Sequence, residues 1–263
     1  MTNRIDEAFK KKPIFMPYYP LGYPNLEISV DVIEALAKNG ADLIEVGLSF
    51  SDPLADGPVI QQATQVALEQ GITIKKSLEA VKELRKRGVT IPLILMGYVN
   101  PMLAYGLGKF VRDAAEAGAD GFIVPDLPAE ESAEFEAALA AGANGHSPLP
   151  LIRMIAPTSS PGRMERVARN AQGFIYLVSV TGITGERKSL AEGLGDLIAT
   201  LRQHTSTRIC VGFGIGTPEQ AREVGQMADG AIVGTACVRV IGSSSTPVET
   251  AKQFAAEFRS ALG

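Results

Sequence analysis

Short runs of valine, isoleucine and leucine alternate along this chain with longer segments of helical periodicity, and that alternation limits the fold more than any other feature. In the intervening segments apolar residues recur at helical spacing, as at Leu26, Val30 and Ile33. The pattern is typical of βα units around a parallel sheet that is buried on both faces. We predict eight strands, at residues 14–18, 42–48, 92–97, 121–125, 151–156, 173–179, 208–213 and 230–234.

A weak internal repeat supports the reuse of one structural unit. Residues 39–47, 117–125 and 226–234 each place an Ala-Asp pair between the end of a helical segment and the start of an apolar run. Eight units in 263 residues favour a closed (β/α)8 barrel, whereas an open Rossmann sheet usually has about six strands. Because no linker interrupts the chain, we predict one α/β domain over residues 1–263, a TIM barrel with extra helices at residues 3–11, 59–69 and 184–187.

Composition and charge exclude several classes of partner. The chain is 46% hydrophobic and 21% charged with a net charge of −4, which fits a globular protein and argues against nucleic-acid or membrane binding. Cys210 and Cys237 lie in apolar runs, and His146 and His204 are the only histidines, so neither a disulfide framework nor a metal site is expected. The amino terminus lacks a targeting pattern, and we expect a cytoplasmic protein.

The second predicted strand and the loop after it carry the acidic residues of most interest. Leu43, Glu45 and Gly47 share one face of the strand, and in a barrel the face with the smaller residues should point inward. Glu45 is therefore expected in the barrel mouth with a raised pKa, unless it reaches bulk solvent at the strand end. The following loop contains Asp52 and Asp56, which are either turn residues or catalytic groups, since long βα loops often carry the latter.

Glycine-rich loops follow the last three predicted strands, at residues 181–185, 212–216 and 234–235. Such loops bring main-chain N–H groups close to a phosphate, and Thr235 would open a helix whose N-terminus favours an anion. Strand ends supply an apolar and aromatic lining, although most such residues in any barrel belong to its core: Tyr18, Met96, Tyr98, Ile123 and Tyr176. With no metal, Schiff-base lysine or cofactor motif, the remaining chemistry is proton transfer on a phosphorylated small molecule, for an isomerisation or a carbon–carbon cleavage.

Together these residues resemble the alpha chain family of tryptophan synthase. The resemblance extends along the whole chain, and its most specific stretch is Phe50-Ser-Asp-Pro-Leu-Ala-Asp-Gly-Pro58. Further matching stretches are Pro17-Tyr-Tyr-Pro-Leu-Gly-Tyr-Pro24, Glu45-Val-Gly, Asp126-Leu-Pro-Ala-Glu-Glu131, Ala156-Pro-Thr158, Gly212-Phe-Gly-Ile215 and Gly234-Thr235. The resemblance implies a barrel that cleaves indole-3-glycerol phosphate into indole and glyceraldehyde 3-phosphate without a cofactor.

The resemblance also implies a role for particular residues. Glu45 matches the acid–base residue that removes the glycerol hydroxyl proton and protonates indole C3, and Asp56 matches the carboxylate that binds the indole N–H. Thr184 matches a mobile loop that closes over the substrate. The remaining matches are the indole pocket, with Tyr18, Met96, Ile123 and Tyr176, and the phosphate site, with Gly185, Gly214, Gly234 and Thr235.

Members of this family pair with a beta chain that contains pyridoxal phosphate, in an α2β2 assembly. The loop around Asp52 and Pro53 resembles part of the docking surface for that partner. The chain departs from the family's pattern at Ser49, which replaces a proline, at Pro20, at Tyr23 and in a longer segment at residues 143–150.

Three alternatives stay open. The chain could be a free-standing indole-3-glycerol-phosphate lyase that releases indole without a partner. It could instead be a barrel that only binds and activates a beta chain, although the presence of both Glu45 and Asp56 argues against that. A different phosphosugar barrel, such as a pentose-phosphate epimerase, would use a metal or a second acid on another strand.

Overall fold

The computed structural model describes residues 3–11, 13–143, 148–179, 193–212 and 214–263, and its sheet confirms the predicted barrel. In these ranges the strands are β1 (Ile14–Pro20), β2 (Ile44–Gly47), β3 (Leu93–Met96), β4 (Gly121–Ile123), β5 (Arg153–Ile155), β6 (Phe174–Val178), β7 (Arg208–Gly212) and β8 (Gly230–Val233). All pairs are parallel, in the order β4-β3-β2-β1-β8-β7-β6-β5. The ring closes between its two end strands through a parallel bridge from Phe122 to Leu151, where Ile152 N donates to Phe122 O at 2.8 Å.

The strand ends differ from the sequence prediction by one or two residues, for a physical reason. A strand continues only as far as a neighbouring strand offers it hydrogen-bonding partners. The first strand extends to Pro20 because that residue pairs with Gly47, whereas Leu151 was expected inside the fifth strand and makes only the single bridge to Phe122. Runs of apolar residues do not contain this information about the neighbour.

Helices cover the outside of the ring. The described ones are α1 (Arg4–Ala8), α2 (Leu26–Lys38), α3 (Pro58–Glu69), α4 (Ile74–Lys86), α5 (Val99–Tyr105), α6 (Leu107–Ala117), α7 (Ala133–Gly142), α8 (Pro161–Arg169), α9 (Leu194–Arg202), α10 (Pro218–Gly225), α11 (Thr235–Gly242) and α12 (Pro247–Leu262). The extra helices predicted at residues 3–11 and 59–69 are confirmed as α1 and α3, while residues 184–187 lie outside the described part of the chain. None of the described helices is long and apolar enough to cross a lipid bilayer.

The Ala-Asp repeat fastens the beginnings of strands to one another. Asp120 N donates to Leu93 O at 2.9 Å, and Leu93 N in turn donates to the Asp120 side chain at 2.8 Å. The same carboxylate forms ion pairs with Arg85 and Arg4. The other two copies repeat this arrangement, with Asp42 bonded to Phe15 and paired with Arg259, and Asp229 bonded to Ile209 and paired with Arg202. These clamps lie at the amino-terminal ends of strands, the face of such barrels that serves stability.

Candidate active site

A cavity of about 350 Å³ opens at the carboxyl ends of the strands, the opposite end of the barrel from the aspartate clamps. Strands β1, β2, β3 and β6, the loop before α3 and the connections after β7 and β8 all contribute to its wall. It brings together eight of the site residues expected from the sequence: Tyr18, Glu45, Asp56, Met96, Tyr176, Gly214, Gly234 and Thr235. Residues that are far apart in the chain therefore meet in one pocket.

Glu45 lies in the middle of β2, on the inward face that the alternation of side chains predicts. It pairs in register with Tyr18 of β1, lines the cavity and is only 3% exposed. Burial raises the pKa of its carboxyl group to about 8, and the negative charge of Asp56 adds to the effect. At neutral pH the carboxyl group of Glu45 therefore carries its proton.

Asp56 is held by a tyrosine from the next strand end. Tyr98 Oη donates to Asp56 Oδ2 at 2.8 Å and accepts from Ala55 N at 3.1 Å, so the tyrosine fixes both the side chain and the backbone of this loop. The Phe50 ring packs against the Tyr98 ring at a centroid distance of 5.6 Å. The sequence placed Tyr98 at a strand end but indicated only a lining residue, because nothing in its local pattern shows a hydroxyl aimed at a loop on another strand.

The two carboxyl groups have different charges near neutral pH. Burial raises the pKa of Asp56 to about 6, and the hydrogen bond from Tyr98 limits the rise. As the pH rises, Asp56 therefore ionises first, and its negative charge then acts on the still neutral carboxyl group of Glu45. Two acids in one cavity, one charged and one protonated, are suited to acid–base catalysis because each can take a different part in the reaction.

Two tyrosines cover glycines on neighbouring strands. The Tyr18 hydroxyl lies against Gly47 at the end of β2, and the Tyr176 hydroxyl lies in the same way against Gly212 at the end of β7. A Cβ atom at either glycine would collide with the phenol ring beside it. Burial raises the pKa of both tyrosines well above its ordinary value, and the nearby carboxylates add to the rise, so both hydroxyls stay protonated.

The far end of the cavity has the features expected of an anion site. Gly214, with φ of +79°, and Gly234 line it, and α11 begins at Thr235 as the sequence predicts. No side chain caps the first turn of α11, so its N–H groups are not taken by a side-chain acceptor. Arg239, one turn further along the same helix, also lines the cavity, and the sequence analysis missed it.

Three predicted site residues are not part of the described cavity wall. Ile123 is fully buried on β4, where it pairs with Met96, and the cavity lining does not include it. Thr184 and Gly185 lie outside the residues that the structure describes. Their assignment to the site stays a prediction.

Two of the departures from the family pattern have visible contacts. Ser49 Oγ donates to Leu21 O at 3.4 Å, which links the loop after β2 to the end of β1. Tyr23 packs its ring against Gly242 at the end of α11. In the longer segment at 143–150, residues 144–147 lie outside the described ranges.

A larger cavity, of about 540 Å³, lies between α7 and α8. Two of its arginines are already neutralised, since Arg153 pairs with Glu136 and Arg166 pairs with Glu130. Of these two cavities, as the described residues line them, the one at the carboxyl ends of the barrel strands joins carboxyl groups to uncapped backbone N–H groups, and it is the candidate active site.

The fold is that of a (β/α)8-barrel enzyme, and the cavity with its two carboxyl groups at the carboxyl ends of the strands is the candidate active site. Among the described lining residues there is no lysine to form a Schiff base and no histidine or cysteine to bind a metal. Comparison with known proteins identifies the family. The family model for the tryptophan synthase alpha chain matches residues 6–262, and the chain belongs to that family.

Individual relatives agree with this assignment. The tryptophan synthase alpha chain of Chloroflexus aggregans is 48% identical over 241 residues, which cover 90% of this chain and 88% of the relative. Among solved structures, tryptophan synthase from Mycobacterium tuberculosis superposes with a TM-score of 0.87 at 31% identity, covering 99% of both chains. The alpha subunit from Legionella pneumophila gives a TM-score of 0.85 at 36% identity, covering 100% of this chain and 99% of the other.

Proposed function

We propose that this chain, as a lyase of the tryptophan synthase alpha family, cleaves indole-3-glycerol phosphate with Glu45 as acid and base and Asp56 as a fixed negative charge. The products are indole and glyceraldehyde 3-phosphate. The observation that supports these roles is the pair of carboxyl groups in one cavity, with a pKa of about 8 for Glu45 and about 6 for Asp56. Between those values the cavity holds one proton donor and one carboxylate.

The protonated form of Glu45 suits the first step of such a cleavage. Breaking the bond between indole C3 and the glycerol carbon leaves an electron pair, which needs an acceptor. Transfer of the Glu45 proton to C3 converts the indole ring into an iminium, and this cation accepts the pair. The same carboxylate then removes the proton of the glycerol hydroxyl as the carbon–carbon bond breaks, which forms the aldehyde and restores the protonated acid.

Asp56 would stabilise the positive charge that appears on the indole nitrogen. Its carboxylate is already ionised and is held in place by Tyr98, so little reorganisation is needed when the charge develops. The indole ring would occupy the part of the cavity between Tyr18, Met96 and Tyr176, and the phosphate would lie at Gly214, Gly234 and the first turn of α11. Thr184 and Gly185 are proposed for the same site on the family resemblance.

We also propose that the chain docks on a tryptophan synthase beta chain. The loop that positions Asp56 has a large apolar side chain at its tip, Leu54, which is 89% exposed. A single exposed leucine is ordinary on a protein surface, so the support lies in its place, directly after Asp52 and Pro53 in the loop that resembles the family's docking surface. Docking there would act directly on the loop that carries Asp56. A cytoplasmic location is part of the proposal, and the unpaired, buried Cys210 and Cys237 support it.

The test is release of indole from indole-3-glycerol phosphate by the wild type, Glu45→Gln and Asp56→Asn. We expect both variants to lose at least about two orders of magnitude in kcat, the range typical of a general acid or a preorganised charge. Asp52→Asn is a matched control, because it removes an exposed acid from the same loop. Equal rates for all four proteins would refute the assigned roles.

Adding a purified beta chain separates the proposal from its alternatives. If the chain is a true subunit, the beta chain should increase its rate of indole release many-fold. Leu54→Ser should reduce that increase and leave the rate of the chain alone nearly unchanged. A rate that the partner leaves unaltered would indicate a free-standing lyase. A wild type that is inactive alone and with the partner, yet activates the beta chain, would indicate a binding barrel.

A further inference from the structure

Arg239 is the single cationic residue among the described residues that line the active-site cavity. Other arginines of the described structure, such as Arg85 and Arg87, are engaged in ion pairs. Within the described ranges the guanidinium of Arg239 has no such partner. We propose that Arg239 binds the phosphate group of the substrate, an inference that rests on the proposed function and adds a side-chain cation to a site otherwise made of backbone N–H groups.

The geometry of α11 directs Arg239 to that position. Thr235 and Ala236 open the helix at the cavity, and Arg239 follows at i+4 and i+3 from them, so all three lie on one face. Helical side chains lean towards the amino-terminal end of their helix. A guanidinium that follows this lean reaches back from Arg239, an exposed residue at the cavity wall, towards the first turn of α11, where the uncapped N–H groups are.

The charges in the cavity show why a cation is needed there. A phosphate monoester carries close to two negative charges at neutral pH, and Asp56 supplies a third in the same cavity. A helix N-terminus offers only about half a positive charge. A guanidinium adds a full charge and can bond two phosphate oxygens at once, which a backbone N–H group cannot do.

Equilibrium binding of glycerol 3-phosphate, measured by calorimetry, tests the assignment with a probe that has the phosphate but lacks the indole ring. We expect Arg239→Gln to bind it about tenfold or more weakly, and Arg239→Lys to recover part of the loss because the charge remains. The affinity of the wild type should fall with added salt more steeply than that of Arg239→Gln. Affinity for indole alone should be the same in all three proteins.

The matched control is Arg112→Gln, which removes one positive charge from the exposed face of α6, away from the cavity. It should leave glycerol 3-phosphate binding unchanged. In turnover of indole-3-glycerol phosphate, Arg239→Gln should raise KM by more than it lowers kcat, because the phosphate is remote from the reacting bond.

The outcomes separate this inference from the proposed function. If the wild type cleaves the substrate and a folded Arg239→Gln variant binds glycerol 3-phosphate within twofold of the wild type, Arg239 is not a phosphate ligand. If Arg239→Gln and Arg112→Gln weaken binding equally, the effect is general electrostatics and the assignment is wrong. If binding depends on Arg239 but the wild type cleaves nothing, the anion site stands and the proposed reaction fails.

Discussion

Replacing Glu45 with glutamine should stabilise the protein relative to the wild type, and this difference in the free energy of unfolding should grow as the pH rises. In the unfolded chain this carboxyl group ionises near its ordinary pKa of 4.5, whereas in the folded barrel it keeps its proton up to about pH 8. Between those values the unfolded state gives up a proton that the folded state retains, so the wild type loses stability as pH increases. Its full stability is present below the unfolded pKa, and glutamine, which does not titrate, removes the loss.

The magnitude follows from the two pKa values. A tenfold difference in ionisation constant corresponds to about 1.4 kcal/mol. The gap between 4.5 and about 8 therefore limits the effect to about 5 kcal/mol once the pH exceeds 8. At pH 5.5 the same relation gives only about 1.4 kcal/mol, so the advantage of Glu45→Gln over the wild type should grow by about 3 kcal/mol between pH 5.5 and 8.5.

Urea unfolding followed by circular dichroism across that pH range measures this growth directly. Glu257→Gln, which alters an exposed glutamate on α12, is the control, and its curve should run parallel to that of the wild type. Parallel curves for Glu45→Gln and the wild type would show that Glu45 does not carry a buried proton in the folded state. That result would also remove the basis for assigning it the role of acid.

The cavity acids, Tyr98 and the aspartate clamps can each be tested separately. The pH profile of kcat/KM for indole-3-glycerol phosphate should be bell-shaped. The value should fall below about pH 6 as Asp56 takes up a proton and above about pH 8 as Glu45 loses one. A kcat/KM that still rises at about pH 9 would contradict the order of proton transfers. Tyr98→Phe removes the hydrogen bond that lowers the pKa of Asp56, so the acidic limb of this pH profile should move to higher pH by up to about one unit. An acidic limb that does not move would mean that the bond has no electrostatic effect. Asp120→Ala leaves the Leu93 amide without its partner and the half-buried Arg85 without its carboxylate, while Arg85 keeps its hydrogen bonds to backbone carbonyls. Urea denaturation should show a loss of about 2–4 kcal/mol with no change in KM, and a loss below about 1 kcal/mol would mean that the clamps contribute little.

The alternation of apolar runs contained enough information for the barrel, because eight repeated βα units leave few other ways to bury both faces of every strand. It also predicted that Glu45 points inward, since the period of a strand is two and the other face carries Ile44 and Val46. The start of α11 at Thr235 was also predicted, because Thr235 directly follows the eighth predicted strand in a glycine-containing loop of the kind that opens a helix at an anion site.

What the sequence could not predict depends on contacts between distant units. The bond from Tyr98 to Asp56 joins the ends of two different strands, and no local pattern records it. In the sequence Arg239 is only a charged residue of a predicted helical segment, and its place at the cavity depends on how the barrel positions α11. The Ala-Asp repeat was visible in the sequence, but its function as a clamp depends on the bond from each aspartate to the preceding strand of the ring.

The second βα unit shows how the barrel separates stability from chemistry within a few residues. Asp42 and Glu45 are three positions apart, or about 10 Å along an extended chain. Burial raises the pKa of both, but for Asp42 the Phe15 amide and Arg259 oppose the rise, so they offset part of the cost of burying its charge. Within the described structure Glu45 has no comparable amide or cation, and its pKa reaches about 8. Because the aspartate clamps keep the strands in register at one end, the barrel can hold a buried acid at the other end, although its burial costs stability as the pH rises. The same burial raises the pKa of Glu45 towards neutral pH, where a carboxyl group can both give up a proton and take it back.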